Sequence, residues 1–110
     1  MSMNRKIIDT LLPLGLPTQP DQYTGEAKTY FVFNCTSLPD DFGDNAPQHE
    51  RYLVQVHLFA PDTLNTLDIR KQCKQLLFAA GFTFPAMVDA SNEDGQHWVY
   101  ECELGVAVYG

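Results

Sequence analysis

The sequence predicts an α+β domain: two helices packed on a mainly antiparallel sheet, in the order α-β-β-β-α-β-β. Three observations carry that prediction. Two stretches space their apolar residues by three or four, the period of a helix lying on a core. Two others alternate apolar with polar residues, the period of a strand with one buried face. The 110 residues, 45% of them hydrophobic, suffice for one core and leave no room for a second, so residues 1–110 read as a single domain.

The first helix is expected over residues 2–12, where Met3, Ile7, Ile8, Leu11 and Leu12 recur at helical spacing and Pro13 opposes continuation. Residues 17–25 hold Pro17, Pro20 and Gly25 among polar residues and suit an extended connection or an edge strand. Thr29 to Cys35 is dense in aromatic and β-branched residues, the composition of a strand covered at least partly on both faces. Residues 37–48 change character: Pro39, Pro47, Gly43 and the aspartates Asp40, Asp41 and Asp44 read as a long acidic loop, and loops of that length in compact domains are binding elements or disordered connections.

The run from His49 to Ala60 is the strongest strand signal, with Tyr52, Val54, Val56 and Leu58 on one face and Arg51, Gln55 and His57 on the other. After Pro61 and Asp62 a second helix is expected from the apolar positions Ile69, Cys73, Leu76, Leu77 and Ala80. Asn65 or Thr66 can cap it, Asp68 suits its first turn, and Gly81 stops it. Ala86 to Val88 and His97 to Leu104 are expected to pair as a hairpin about the polar cluster Ser91–Gly95, whose Asp94-Gly95 pair is a turn signal. In the last strand Trp98, Tyr100, Cys102 and Leu104 share one face, and His97, Glu101 and Glu103 the other.

Composition narrows the function. A net charge of −7 opposes any sequence-independent grip on a phosphate backbone, because that grip rests on Lys and Arg releasing counterions. No apolar run approaches the roughly 20 residues that cross a bilayer, and the N-terminus lacks the apolar stretch of a signal peptide. A soluble protein of the cytoplasm is the expectation. Cys35, Cys73 and Cys102 are odd in number and without a CxxC pair, which reads as reduced, buried thiols and not as a disulfide framework or a zinc site.

No catalytic signature stands out. The three histidines and three cysteines lack the surroundings of a nucleophile and its base. His49 with Asp40, Asp41 and Asp44 lacks the ligand alternation of a calcium loop. Glu101, Glu103 and Asp89 evoke the paired carboxylates of a metal-dependent nuclease, but no basic residue follows Lys74. Ala79-Ala-Gly-Phe82 is a helix end, not a phosphate loop. No catalytic residue, metal or cofactor is expected.

Charge is more informative. Arg70, Lys71 and Lys74 lie on the second helix and Arg5 and Lys6 on the first, whereas residues 81–110 carry five acidic residues and no basic one. These are ordinary solvated faces, or the basic helix of one subunit meets the acidic hairpin of the next, a head-to-tail contact that closes into a ring when the rotation allows.

Thr29-Tyr-Phe-Val-Phe-Asn34, the acidic segment, His49-Glu-Arg-Tyr-Leu-Val-Gln-Val-His-Leu-Phe-Ala60, the helix ending Phe78-Ala-Ala-Gly-Phe82, and Asp89-Ala-Ser-Asn-Glu-Asp-Gly-Gln-His97 together resemble the tail completion or tail terminator proteins of long-tailed bacteriophages and prophages. The similarity spans roughly residues 5–104 and consists of structural patterns. It implies a non-enzymatic morphogenesis protein that caps the tail tube as a ring, commonly a hexamer, and joins it to the head-tail connector, working in the virion tail and in the host cytoplasm during assembly. Its implied partners are copies of itself, the tail tube protein and the connector, with no membrane and no sequence-specific nucleic acid.

Ring proteins of this kind use long loops to reach neighbours, which makes Asp40, Asp41, Phe42 and Asp44 the first assembly candidates, with Phe42 as an apolar anchor among charges or folded back onto the domain. The hairpin tip Asn92, Glu93 and Asp94 comes next, then the basic trio Arg70, Lys71 and Lys74. Carboxylates lining such a ring would repel DNA passing through it. A small adaptor domain of unrelated function and an enzyme built on a buried cysteine or carboxylate are the competing readings.

Overall fold

The computed structural model describes the backbone of residues 2–43 and 46–107 and the side chains of residues 2–38 and 50–105. These residues form an α+β structure with two helices and a five-stranded mixed sheet. The elements are α1 (Met3–Leu11), β1 (Thr18–Pro20), β2 (Tyr30–Gly43), β3 (Ala46–Ala60), α2 (Leu67–Ala79), β4 (Ala86–Asp89) and β5 (Gln96–Ala107). In space the strands run β1-β2-β3-β5-β4. β1 lies parallel to β2, and the other three pairings are antiparallel.

Local chemistry sets the helix limits. The Ser2 hydroxyl accepts from the Arg5 amide at 3.1 Å and caps α1. Pro13 turns the chain into a short 3-10 helix over Leu12–Leu14, closed by Gly15 at φ 71°. At the start of α2 it is Asn65 whose Oδ1 accepts from the Leu67 amide at 3.0 Å, while the Thr66 hydroxyl is committed to Gln96 at 2.6 Å. The far end of α2 is a Schellman motif, with Phe82 N bonded to Leu77 O, Gly81 N to Phe78 O, and Gly81 at φ 102°.

Both helices pack on one face of the sheet. Ile7 and Leu11 of α1 and Cys73 and Leu77 of α2 meet Phe31 and Phe33 of β2, Val54, Val56 and Leu58 of β3, and Tyr100 and Cys102 of β5. Removing an aliphatic or aromatic side chain of this size from water contributes roughly 1.5–3 kcal/mol each. The alternation read in β3 and β5 is the one observed. The three cysteines are free, Cys73 and Cys102 buried in this core and Cys35 at its margin.

The segment 37–48 corrects the sequence reading. It is not a loop: its described backbone completes β2 and opens β3, with Leu38 opposite Arg51, Pro39 opposite Glu50 and Phe42 opposite Pro47. Proline and aspartate misled because they are rare in central strands, whereas this pairing lies at a sheet margin. The described pairing of β1 along β2 ends at Phe33, well before Pro39, and proline is tolerated on strands at a sheet edge, where its missing N–H need not interrupt a ladder. Asp44 and the side chains of Asp40, Asp41, Phe42 and His49 lie outside the described residues. A strand of 15 residues spans roughly 50 Å, and the molecule is correspondingly long, 54 × 24 × 24 Å.

Candidate functional site

With both helices on one face, the opposite face of the sheet carries no helix among the described residues and is bordered by the loops of Tyr23 and Phe84. Strand register decides what it presents. Val32, His57, Val99 and Val88 form one row across four strands, and Tyr30, Phe59 and His97 form the next. The rings of that second row stack in sequence: Tyr23 on Tyr30 at 4.0 Å between centroids, Tyr30 on Phe59 at 5.2 Å, and Phe59 on His97 at 4.2 Å. Gly25 admits the Tyr23 ring, which fills the space a side chain would need there.

The ribbon ends in a histidine pair. His57 Nδ1 lies 2.8 Å from His97 Nε2, so one ring supplies an N–H and the other a lone pair, and both cannot be imidazolium while the bond persists. Burial lowers both pKa values below the ordinary 6.5, helped for His57 by its partner and opposed by Glu101. The pair is therefore neutral at pH 7. It is a weak base on an aromatic shelf, with no nucleophile aligned to it among the described hydrogen bonds.

Two depressions occupy this face. One, of about 470 Å³, lies between Lys28, Tyr30, Phe59 and His97 on one side and Asn92 and Asp94 on the other. The second, of about 640 Å³, is floored by Leu53 and Gln55 and edged by Phe84, Ala86, Glu101 and Glu103. Its Phe84 wall is held in place because Thr83 N bonds Glu103 O and Glu103 N bonds the Thr83 hydroxyl, both at 2.9 Å.

The structure sorts the candidates. Asn92 serves the turn: its Oδ1 accepts from Asp94 N at 2.8 Å and its backbone bridges to Gly95, leaving Glu93 and Asp94 exposed at the tip. Of the basic trio, Arg70 is turned inward, its guanidinium 4.0 Å above the Trp98 ring and its Nε donating to Thr66 at 3.0 Å. Lys71 stays exposed and Lys74 half-buried. The sheet separates Asp89 from Glu101 and Glu103, since Asp89 stands opposite Trp98 on the helix side and is held below its ordinary pKa by Ser91. Burial pushes Cys73 up to about 12 and Cys102 to about 11, so both thiols stay protonated at neutral pH. Among the described residues no three His, Cys, Asp or Glu side chains are grouped to hold a metal.

The aromatic ribbon escaped the sequence reading. His57 and His97 each stood out as polar positions of alternating strands, but only the register, with Phe59 opposite His97 and His57 opposite Val99, brings their rings together. Comparison with known protein families and with characterised proteins finds no match to this chain.

Proposed function

We propose that this protein acts by docking and not by catalysis, as a tail completion protein that assembles with copies of itself into a ring, commonly a hexamer, between a phage tail tube and the head-tail connector. The observation that carries the docking reading is the uncovered sheet face. Leu53, Phe84 and Val88 are 37%, 59% and 52% exposed there, beside the half-exposed rings of Tyr30, Phe59 and His57. Exposed apolar and aromatic side chains interleaved with charge on one uncovered face are the composition of an interaction site. The long β2–β3 hairpin supplies an arm of the kind ring proteins use to reach a neighbour. The tail assignment rests on the resemblance of residues 5–104 to that family.

An adaptor domain would use the same face, and the two differ in partner. Purified tail tubes incubated with the protein and imaged by electron microscopy are expected to carry a ring at one end. Bare ends, together with capture of an unrelated host protein on the sheet face, would favour the adaptor. Localisation in the virion tail follows from the ring reading and is tested by the same images. The enzyme reading has little to build on, because the buried thiols are protonated and the carboxylates divided between two faces.

A further inference from the structure

The solvent side of α2 is divided lengthwise. Leu67, Lys71, Lys74 and Phe78 stand at i, i+4, i+7 and i+11 and form one stripe, whereas Asp68, Gln72, Gln75 and Ala79 form the other. The first stripe is apolar at both ends, Leu67 being 45% and Phe78 57% exposed, with two ammonium groups between. Among the described residues neither lysine has a carboxylate within ion-pair distance, the pairs there being Arg5 with Asp9 and Arg51 with Glu103.

The trough on the open sheet face has the opposite chemistry. Leu53 and Phe84 give it apolar surface, and Glu101 and Glu103 stand on one side of β5, two residues apart and therefore about 7 Å from each other. Glu103 shares its charge with Arg51 at 3.3 Å, and Glu101 has no ion-pair partner among the described residues. Lys71 and Lys74 are separated by about 5 Å along the helix axis, a spacing their long stems extend to meet the two carboxylates.

We propose that the α2 stripe of one copy seats in the trough of a second, with Lys71 and Lys74 on Glu101 and Glu103 and with Leu67 and Phe78 covering the apolar surface of Leu53 and Phe84. The two surfaces differ, so the contact is heterologous and propagates from copy to copy. This deepens the ring reading and rests on it for closure, while the contact itself stands on opposite charge and exposed apolar surface being present on both sides. Sequence showed a basic helix and an acidic C-terminal third; the structure narrows the helix to two lysines without an ion-pair partner among the described residues, and the acidic candidates to Glu101 and Glu103 on one side of one strand.

The test mixes isotopically light and heavy copies at about 1 mM, where even a weak specific contact is populated, with a carbodiimide that joins paired amines and carboxylates. Peptide mapping is expected to find Lys71 or Lys74 joined to Glu101 or Glu103 between copies, with a yield that falls at least about tenfold at 0.5 M salt. Lys71→Glu with Lys74→Glu is expected to abolish the cross-link, as is Glu101→Lys, each variant keeping the circular dichroism of the parent. Mixing the two variants is expected to restore joining between positions 71 or 74 and position 101, which no misfolded protein would do. Monomer under all conditions would overturn the contact. Oligomers cross-linked elsewhere would also overturn it while leaving the ring reading intact, and formation of the cross-link by a protein that leaves tail tubes bare would remove the tail function and retain the contact.

Discussion

Gly95 holds φ at 141°, and a Cβ there would stand 2.8 Å from the Ala60 carbonyl oxygen. Backbone cannot retreat as a side chain does, and the positive φ is strained for any other residue. Gly95→Ala is therefore expected to cost about 2 kcal/mol, read as a lower urea midpoint with unchanged slope. The histidine pair makes a second residue-scale prediction. Both folded-state pKa values lie below 6.5, so as pH falls through that value the unfolded chain takes up protons first. The contribution of the pair is complete above about pH 6.5 and is lost progressively below it. Melting temperature measured from pH 7 to 5 should drop more steeply for the parent than for a variant carrying His57→Gln and His97→Gln. Asp94-Gly95 was legible as a turn signal from sequence; that Gly95 must be small because the Ala60 carbonyl abuts it was not, since 35 residues of chain separate the two.

At the scale of elements, the connection from β3 to α2 is held by one polar cluster. Gln96 Oε1 accepts from the Thr66 hydroxyl at 2.6 Å and from Trp98 Nε1 at 3.0 Å, and its Nε2 donates to the carbonyls of Pro61 and Leu64. Thr66 is 1% exposed and also accepts from Arg70. Thr66→Val keeps the shape and leaves the Arg70 and Gln96 groups short of a partner, at an expected cost of about 2 kcal/mol. Asn65→Ala should cost about 1 kcal/mol. Thermal unfolding of the two variants would give the order; a larger loss for Asn65→Ala would refute the assignment of Thr66 to the cluster and Asn65 to the cap. Sequence left Asn65 and Thr66 as equal candidates because both side chains cap helices well, and what separates them is Gln96 on a distant strand. The same limit explains segment 37–48. Its composition is that of a loop, and only its pairing partners make it strand.

For the whole molecule, a net charge of −7 leaves duplex DNA with few phosphate contacts to gain. No retardation of DNA is expected up to about 100 μM protein at physiological salt, a range in which non-specific DNA-binding proteins do bind. A radius of gyration of 15.2 Å, against about 13 Å for a compact chain of this length, places mass away from the core, along the hairpin. Among the described residues both helices lie on one face of the sheet and none on the other, the feature from which the docking reading and the stripe-in-trough contact are both proposed.

Periodicity by itself determined that there are two amphipathic helices, that Tyr52 to Leu58 and Trp98 to Leu104 each turn alternate residues inward, and that Cys73 and Cys102 serve as small apolar side chains, because burial of one face is written at a fixed local spacing; Cys35, read as buried in the same way, is half-exposed at the core's margin. Tertiary structure alone decided that both helices share one face, that the rings of Tyr23, Tyr30, Phe59, His97 and His57 run together on the other, and that Arg70 is turned onto Trp98 while Lys71 stays exposed and Lys74 half-buried. Those outcomes depend on strand register and helix placement, which join residues tens of positions apart and leave no periodic trace in the chain.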